Sequence, residues 1–477
     1  MHYSGIYKNR YKLVLPARAS FWYTASLVAE RGIGFIFTPI FTRLLTPAEY
    51  GLYSLYVSFM GIFTVFITLE LSGNIIYRGI SKFSGREGEF MRACLGVISL
   101  CALLFGVALA VFGRGMSAIT GLSVQLLTFL GIQVYLNGIV NLYTARQRYY
   151  YRYRSAIFPN LLISILSPLL AFVITRFFGA GAPARIYAYL VISAVVALPL
   201  AASIMRGGIL FSRDVLLFVI RSAFPLLPHF VAASISVQAG RAIVGIFRGE
   251  GELAVYSVVF SMATVLSLMS GGISSSLSPW ISRKLSLGGA HNTEKLRNVH
   301  FVVKALVLPF CLAVLMFLCF SREALLILAP PEYQVALGAL FPLAVAVILS
   351  FIQTVQAAVI LYYDGTVAIS SATVVSALLT LALNLLLVPT YSYMATAYIQ
   401  LGCAFLSVLL GALAIRLRTG ARLSYSGYII PVVFTASASA VIYVIGISLV
   451  ARGILAFALL LLLIAKISPL KKLILDK

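Results

Sequence analysis

A chain of 477 residues that is 61% hydrophobic and only 10% charged carries more apolar surface than a soluble interior absorbs, since soluble domains run near about 45–50% and about 25%. The formal net charge of +23 comes from short Lys and Arg clusters between apolar runs, the pattern of juxtamembrane anchors rather than of a nucleic-acid surface. Composition therefore excludes a soluble enzyme and a nucleic-acid binder, and predicts an all-α polytopic membrane protein.

Residues 1–19 hold Lys8, Arg10, Lys12 and Arg18 among tyrosines, with no apolar core ending in a small-residue cleavage site. They are expected to form a cytoplasmic tail rather than a signal peptide. Fourteen apolar runs of spanning length follow, at 20–43, 52–77, 93–113, 118–142, 156–175, 186–205, 223–247, 253–281, 301–320, 335–363, 367–388, 393–415, 427–450 and 453–468. With the amino terminus inside, inner segments hold 27 of the 36 Lys and Arg and outer segments seven, while Arg31 and Arg241 stay in the membrane. That bias obeys the positive-inside rule and places both termini in the cytoplasm. The expected plan is a tail (1–19), an N-lobe of six spans (20–210), a C-lobe of six (211–416), and two added helices with a basic tail (417–477).

The first apolar run shapes the functional reading. Ser26 to Gly51 is long enough to cross a bilayer, yet carries Glu30 and Arg31 side by side. A charge at that depth costs about 2.5–3.5 kcal/mol on insertion scales, so such residues face a bundle interior or a wet cavity. The exit of this run recurs later: Glu49, Tyr53 and Ser54 match Glu252, Tyr256 and Ser257, each pair 203 residues apart. An arginine inside an apolar run precedes each copy, Arg31 in one and Arg241 in the other. Six spans separate the copies, so the two lobes are expected to share one orientation, as in a parallel internal repeat.

Arg31 lies roughly 16 Å from the inner end of its helix and Arg241 roughly 9 Å from the outer end of its own, at 1.5 Å per residue. Their planar donor forks suit phosphate or carboxylate. The competing reading is that each pairs with a buried carboxylate and only fixes packing. Glu30 and Glu70 are the carboxylates placed well inside spans, and a buried carboxylate near arginine is suited to coupling proton or sodium movement to substrate binding. His229, after Pro225 and Pro228, reads first as a capping or hydrogen-bonded histidine and second as a proton site. Arg146-Gln147-Arg148-Tyr149-Tyr150-Tyr151-Arg152-Tyr153-Arg154 reads as a membrane-interface anchor, with recruitment of an anionic lipid head group as the functional option. The five cysteines lie inside apolar runs without CxxC spacing and read as packing residues. No Walker A lysine motif, Gly-rich nucleotide fingerprint or HExxH occurs, so no cofactor, metal site or hydrolytic activity is expected.

The segment from Thr42-Arg43-Leu44-Leu45-Thr46-Pro47-Ala48-Glu49-Tyr50-Gly51 to Tyr53 resembles the polysaccharide flippases of the multidrug/oligosaccharidyl-lipid/polysaccharide superfamily, the Wzx-type O-antigen and exopolysaccharide transporters. Arg241-Ala242-Ile243-Val244, Val255-Tyr256-Ser257, Pro279-Trp280, Ala329-Pro330-Pro331-Glu332-Tyr333 and Asn384-Leu385-Leu386-Leu387-Val388-Pro389-Thr390-Tyr391 add to the likeness, which covers almost the whole chain. The resemblance implies two six-helix lobes around a central cavity, with Arg31 and Arg241 at cationic positions of its first and seventh helices. It implies a carrier of a polyprenyl-diphosphate-linked oligosaccharide in the bacterial inner membrane, coupled to a proton or sodium ion, with a polysaccharide polymerase left open as a partner. This chain departs where Gly240 stands in place of an aspartate and Ser392 in place of a glycine. The alternatives are a cation-coupled multidrug extruder of the same superfamily and a membrane glycosyltransferase or polymerase, the latter disfavoured by short loops.

Overall fold

The computed structural model describes residues 4–206, 213–286, 293–363, 365–420, 426–445 and 452–462, and all regular structure among them is helical. In chain order the helices are α1 (Ser4–Leu44), α2 (Pro47–Thr68), α3 (Asn74–Lys82), α4 (Glu87–Thr120), α5 (Val124–Tyr149), α6 (Tyr153–Phe178), α7 (Ala182–Met205) and α8 (Arg213–Ala223). They continue as α9 (Leu227–Arg248), α10 (Glu250–Ser286), α11 (Thr293–Cys319), α12 (Ser321–Leu328), α13 (Leu337–Tyr362), α14 (Thr366–Thr419) and α15 (Ser426–Ile445). A short apolar helix, α16 (Arg452–Leu462), comes last. A hydrocarbon surrounding forces this choice, because a helix satisfies its backbone donors and acceptors within itself.

Ten helical stretches among the described residues are long and apolar enough to cross a membrane, against fourteen expected spans. Three physical causes account for the difference. The apolar half of α1 is interrupted by Glu30 and Arg31. The expected spans 367–388 and 393–415 run together as α14, which breaks only at Ser392. The expected thirteenth and fourteenth spans give α15 and α16, whose described apolar parts are short, and residues 446–451 and the basic tail from 463 lie outside the described residues. The amino-terminal segment also differs from expectation: α1 begins at Ser4, so the backbone of the expected tail is helical.

Local chemistry sets the helix ends. Thr46-Pro47-Ala48-Glu49 is a capping box: the Glu49 amide donates to Thr46 Oγ1 at 3.3 Å, and the Thr46 amide donates to Glu49 Oε2 at 2.9 Å. Such a cap is worth about 1 kcal/mol. Gly121 and Gly179 close α4 and α6 at positive φ, 70° and 64°, where a glycine carries no Cβ penalty.

Internal packing divides the chain into two compact units, residues 1–238 with 249–251, and residues 239–248 with 252–477. The division falls within α9, whereas hydropathy cuts the chain between 210 and 211. The reason lies in unit 1. Ser234 of α9 donates to the Gly61 carbonyl of α2 at 2.8 Å, and Gln238 packs on the same glycine. Arg86 joins the α3–α4 turn to α8 by bonding Asp214 at 2.9 Å and Glu89 at 2.7 Å, and those carboxylates hold its proton more firmly than usual. Phe218 of α8 packs on Phe83 and Phe90.

In unit 2 the core is α13, whose face from Leu337 to Ile360 is almost wholly buried. α16 docks on α11 through Leu312, Leu315 and Cys319 against Ala456 and Leu459. Arg452 fixes that contact with one bond to the Cys319 carbonyl at 3.0 Å and a paired contact to Glu323 at 2.8 and 3.0 Å. The cysteines are all free thiols, four of them buried.

The letters that repeat at 203-residue spacing repeat in role. Glu49 lies against Gly181, just ahead of α7, so closely that a Cβ there would come within 1.5 Å of Oε1. Glu252 accepts a hydrogen bond from Ser392, at the break of α14. The ring of Tyr53 reaches Arg185 in the first turn of α7, and the ring of Tyr256 stacks on Tyr393 just past the break, 6.2 Å between centroids. In each unit one glutamate therefore fastens the start of one helix to a chain reversal between two later helices.

Ser392 has φ 60° and ψ −160°, a region essentially reserved for glycine and costing about 1–3 kcal/mol for other residues. This explains why glycine is the residue expected there, and the Glu252 bond is what offsets the strain. Ser392→Ala keeps the strain and loses the bond, and is expected to lower stability by about 1–3 kcal/mol. Ser392→Gly relieves the strain and should cost less than the alanine. Thermal unfolding of the purified variants checks the order; equal losses would contradict this account of the break.

Candidate functional site

In unit 1 the intramembrane charges sit on α1. Arg31 is exposed and Glu30 half-buried. Arg148, in the last turn of α5, and Arg31 both lie near enough to act on the Glu30 carboxylate, and Glu30 in turn acts on Tyr189 of α7. Around it runs a polar strip that sequence reasoning missed. Tyr189 donates to Asn137 Oδ1 at 3.4 Å, and Tyr56, near Tyr189, donates to Gln133 Oε1. The available signal was Gln133 and Asn137, two amides four residues apart on an apolar helix, which share one helix face. Polar groups inside a span mark pathways by default.

Glu70 sits elsewhere than expected. The run 52–77 is not one helix: α2 stops at Thr68, and Leu69 and Glu70 take left-handed backbone angles, φ 48° and 50°. The Glu70 amide donates to Thr68 Oγ1 at 3.3 Å and its carbonyl accepts from Gly73 at 3.1 Å. The carboxylate thus stands in a helix break, half-buried, rather than on a continuous transmembrane face.

In unit 2, Arg241 is half-buried on α9 and lies over the Phe260 ring of α10, 4.6 Å from its centroid, with Tyr256 close by. A guanidinium on an aromatic face gains about 0.5–2 kcal/mol. Gly240 has a steric reason. A Cβ there would lie 2.3 Å from Thr396 Cγ2 and 3.4 Å from Asn384 Oδ1. Thr396 Oγ1 donates to Asn384 Oδ1 at 2.7 Å, and Asn384 Nδ2 to the Thr380 carbonyl at 2.7 Å. This polar pair fills the space an aspartate side chain would need.

Two further residues depart from expectation. Arg185, counted with the outer loops, is enclosed on α7 by Tyr53, Phe41 and Tyr50, at 3.7, 4.2 and 5.6 Å. It ties α7 to α1 and α2. His229 stands in the first turn of α9, and its Nδ1 is buried without a hydrogen-bond partner among the described residues, so the capping role is not met. At the α5–α6 turn, burial and the hydrogen bond donated to Glu87 push the Tyr150 hydroxyl up to about 12.

Among the described residues no cluster of three His, Cys, Asp or Glu is placed to hold a metal ion. Helices with charges inside apolar stretches and polar strips along them define a multi-pass membrane protein, and its fold is that of known transporters. The structure is similar to the lipid II flippase MurJ in an inward closed conformation, with a TM-score of 0.70 and 14% identity over 97% of this chain and 100% of that one. It is also similar to an inward-facing multidrug resistance MATE transporter of the MOP superfamily (TM-score 0.68, 15% identity, 82% of this chain and 94% of that one). A MOP superfamily transporter from Pyrococcus furiosus, described as having a binding pocket of reversed polarity that suggests a different function, matches with a TM-score of 0.59 and 15% identity over 89% and 96% of the two chains. No curated protein matches the sequence. The family profile described as polysaccharide biosynthesis protein matches residues 17–285, more than half of the chain, and the protein belongs to that family.

The Gly240 contact gives a sharp expectation. Gly240→Ala overpacks the site and should lower stability by about 1–3 kcal/mol. Adding Thr396→Ser removes the clashing methyl, keeps the bond to Asn384, and should restore most of the loss. Thermal melts of the single and double variants measure it; no rescue would mean that the glycine serves another purpose.

Proposed function

We propose that the protein is a flippase that moves a polyprenyl-diphosphate-linked oligosaccharide across the bacterial inner membrane by alternating access, for cell-surface polysaccharide synthesis. The observation that carries this reading is one intramembrane arginine in each unit, Arg31 on α1 and Arg241 on α9, in a chain of the polysaccharide biosynthesis family. The lipid II flippase MurJ, similar in fold along nearly the whole chain, supports the same class of cargo. The guanidinium groups hold the diphosphate or acidic sugars through charge-assisted hydrogen bonds. No catalytic step is assigned to the chain.

Glu30, set between two arginines and a tyrosine, is the first candidate for coupling to a proton or sodium ion, and Glu70 in the α2–α3 break is the second. A carboxylate beside unwound backbone is a recurring ion-site arrangement in transporters. In this reading the two lobes of six spans share one orientation and both termini are cytoplasmic. A multidrug extruder has a similar fold, but exposed arginine repels organic cations, which disfavours that cargo. A polymerase partner follows from the biosynthetic setting and not from any surface described above.

Native mass spectrometry of gently solubilised protein is expected to show a co-purifying polyprenyl-diphosphate sugar. Arg31→Ala or Arg241→Ala should each reduce its occupancy by about tenfold or more, the value of one charge-assisted bond, and the double variant should abolish it. Undiminished surface polysaccharide after charge reversal of both arginines would refute the assignment. Organic cations bound in place of the lipid would favour the extruder.

A further inference from the structure

Beyond Arg148, the tyrosine- and arginine-rich segment that ends α5 and starts α6 has no part in the transport reading. Within unit 1 its end frames a cavity of about 750 Å³, inside the range of about 300–1,000 Å³ typical of ligand pockets. Trp22 of α1 stacks on Tyr153, the first residue of α6, with centroids 6.1 Å apart and planes 5° apart. Next to this pair stands Arg154, exposed and with no hydrogen-bond or ion-pair partner among the described residues. Further along, the lining turns apolar, with Phe158 and Leu161 of α6 and Leu200 of α7. Phe158 is 65% exposed on a helix apolar enough to cross the membrane, so unit 1 leaves that wall open.

The order of these groups along α6 matches the order of groups along a membrane lipid. Trp and Tyr sit at the head-group level of bilayers, and arginine pairs with lipid phosphate there. From Arg154 to Leu161 the helix rises about 10 Å, and past Ser155 the groups it gives to the cavity, Ile157, Phe158, Pro159 and Leu161, are apolar. Charge narrows the occupant. The lining carries one cation and no carboxylate, which matches a single phosphate diester. The ammonium of a zwitterionic lipid would find no counter-charge, and the higher charge of a diphosphate would be only partly met.

We propose that this cavity binds one anionic phospholipid of the phosphatidylglycerol class, its phosphate on Arg154 and one acyl chain along Phe158, Leu161 and Leu200. The bound lipid clamps α1 to α6 at the Trp22–Tyr153 pair, and so anchors the helix that carries Arg31. The site stands independently of the cargo assigned above.

The test is native mass spectrometry of the full chain released from nanodiscs of equal phosphatidylglycerol and phosphatidylcholine. The wild type should retain one phosphatidylglycerol preferentially. Arg154→Gln should reduce the preference about fivefold, the worth of one basic residue at a membrane surface. Leu200→Trp, which fills the cavity, should remove the retained lipid of either kind, while Arg176→Gln at the far end of α6 should change nothing. Equal retention of the two lipids by the wild type, or a preference untouched by Arg154→Gln, overturns the proposal. Retention of a polyprenyl-diphosphate at one per chain, displaced by Leu200→Trp, would give the cavity to that lipid and overturn it equally. Should Leu200→Trp fail to give a monodisperse protein, the Arg154→Gln ratio decides alone.

Discussion

The carboxylate of Glu252 holds together a corner on which much of unit 2 depends. It takes the Arg248 fork at 2.9 and 3.2 Å and the Ser392 hydroxyl, while Arg248 also reaches the Pro389 carbonyl at 3.4 Å. The end of α9, the start of α10 and the break of α14 are thereby joined by three side chains. The break needs such a partner, because Ser392 holds a positive φ that costs about 1–3 kcal/mol for a residue other than glycine. Glu49 occupies the matching place in unit 1, where its capping of α2 and its contact with Gly181 set the entry to α7.

The arginines show how one side chain takes different work from different surroundings. Arg185 is enclosed by three aromatic rings and acts as a bolt between α1, α2 and α7. Arg452 is spent on Glu323 and a carbonyl. Arg241 lies over the Phe260 ring, which orients the guanidinium, and Arg31 stands exposed. Under the function proposed above, the last two meet the anionic cargo. Arg154, without a partner among the described residues beside Trp22 and Tyr153, is proposed to meet a lipid phosphate instead. Cation count alone would not have separated these roles.

Helix breaks carry a parallel lesson. Glu70 and Ser392 both take positive φ within stretches that hydropathy reads as helix or as a short link between helices. At Ser392 a hydrogen bond to a carboxylate holds the strained residue; at the end of α2 the Thr68 hydroxyl bonds the Glu70 amide. Both are irregular points set into helical stretches.

The amino-acid sequence by itself determined the class of protein. Its hydropathy makes a helical membrane chain unavoidable, the Thr46-Pro47-Ala48-Glu49 box starts α2 by local hydrogen bonds, and the shared spacing of Glu49 and Glu252 marks a repeat, while the chain reversals they fasten, at Gly181 and Ser392, are set by contacts more than a hundred residues away. Tertiary structure alone decided what depends on groups distant in sequence. The enclosure of Arg185, the strip of Tyr56, Gln133, Asn137 and Tyr189, the reason for Gly240 and the cavity beside Arg154 each join helices tens of residues apart or more. Hydropathy is blind to them, since it scores how much a segment prefers lipid and not which faces of two helices meet. It also read through the end of α2, because a break of four or five residues hardly changes the mean apolarity of a span, while it changes entirely where Glu70 stands.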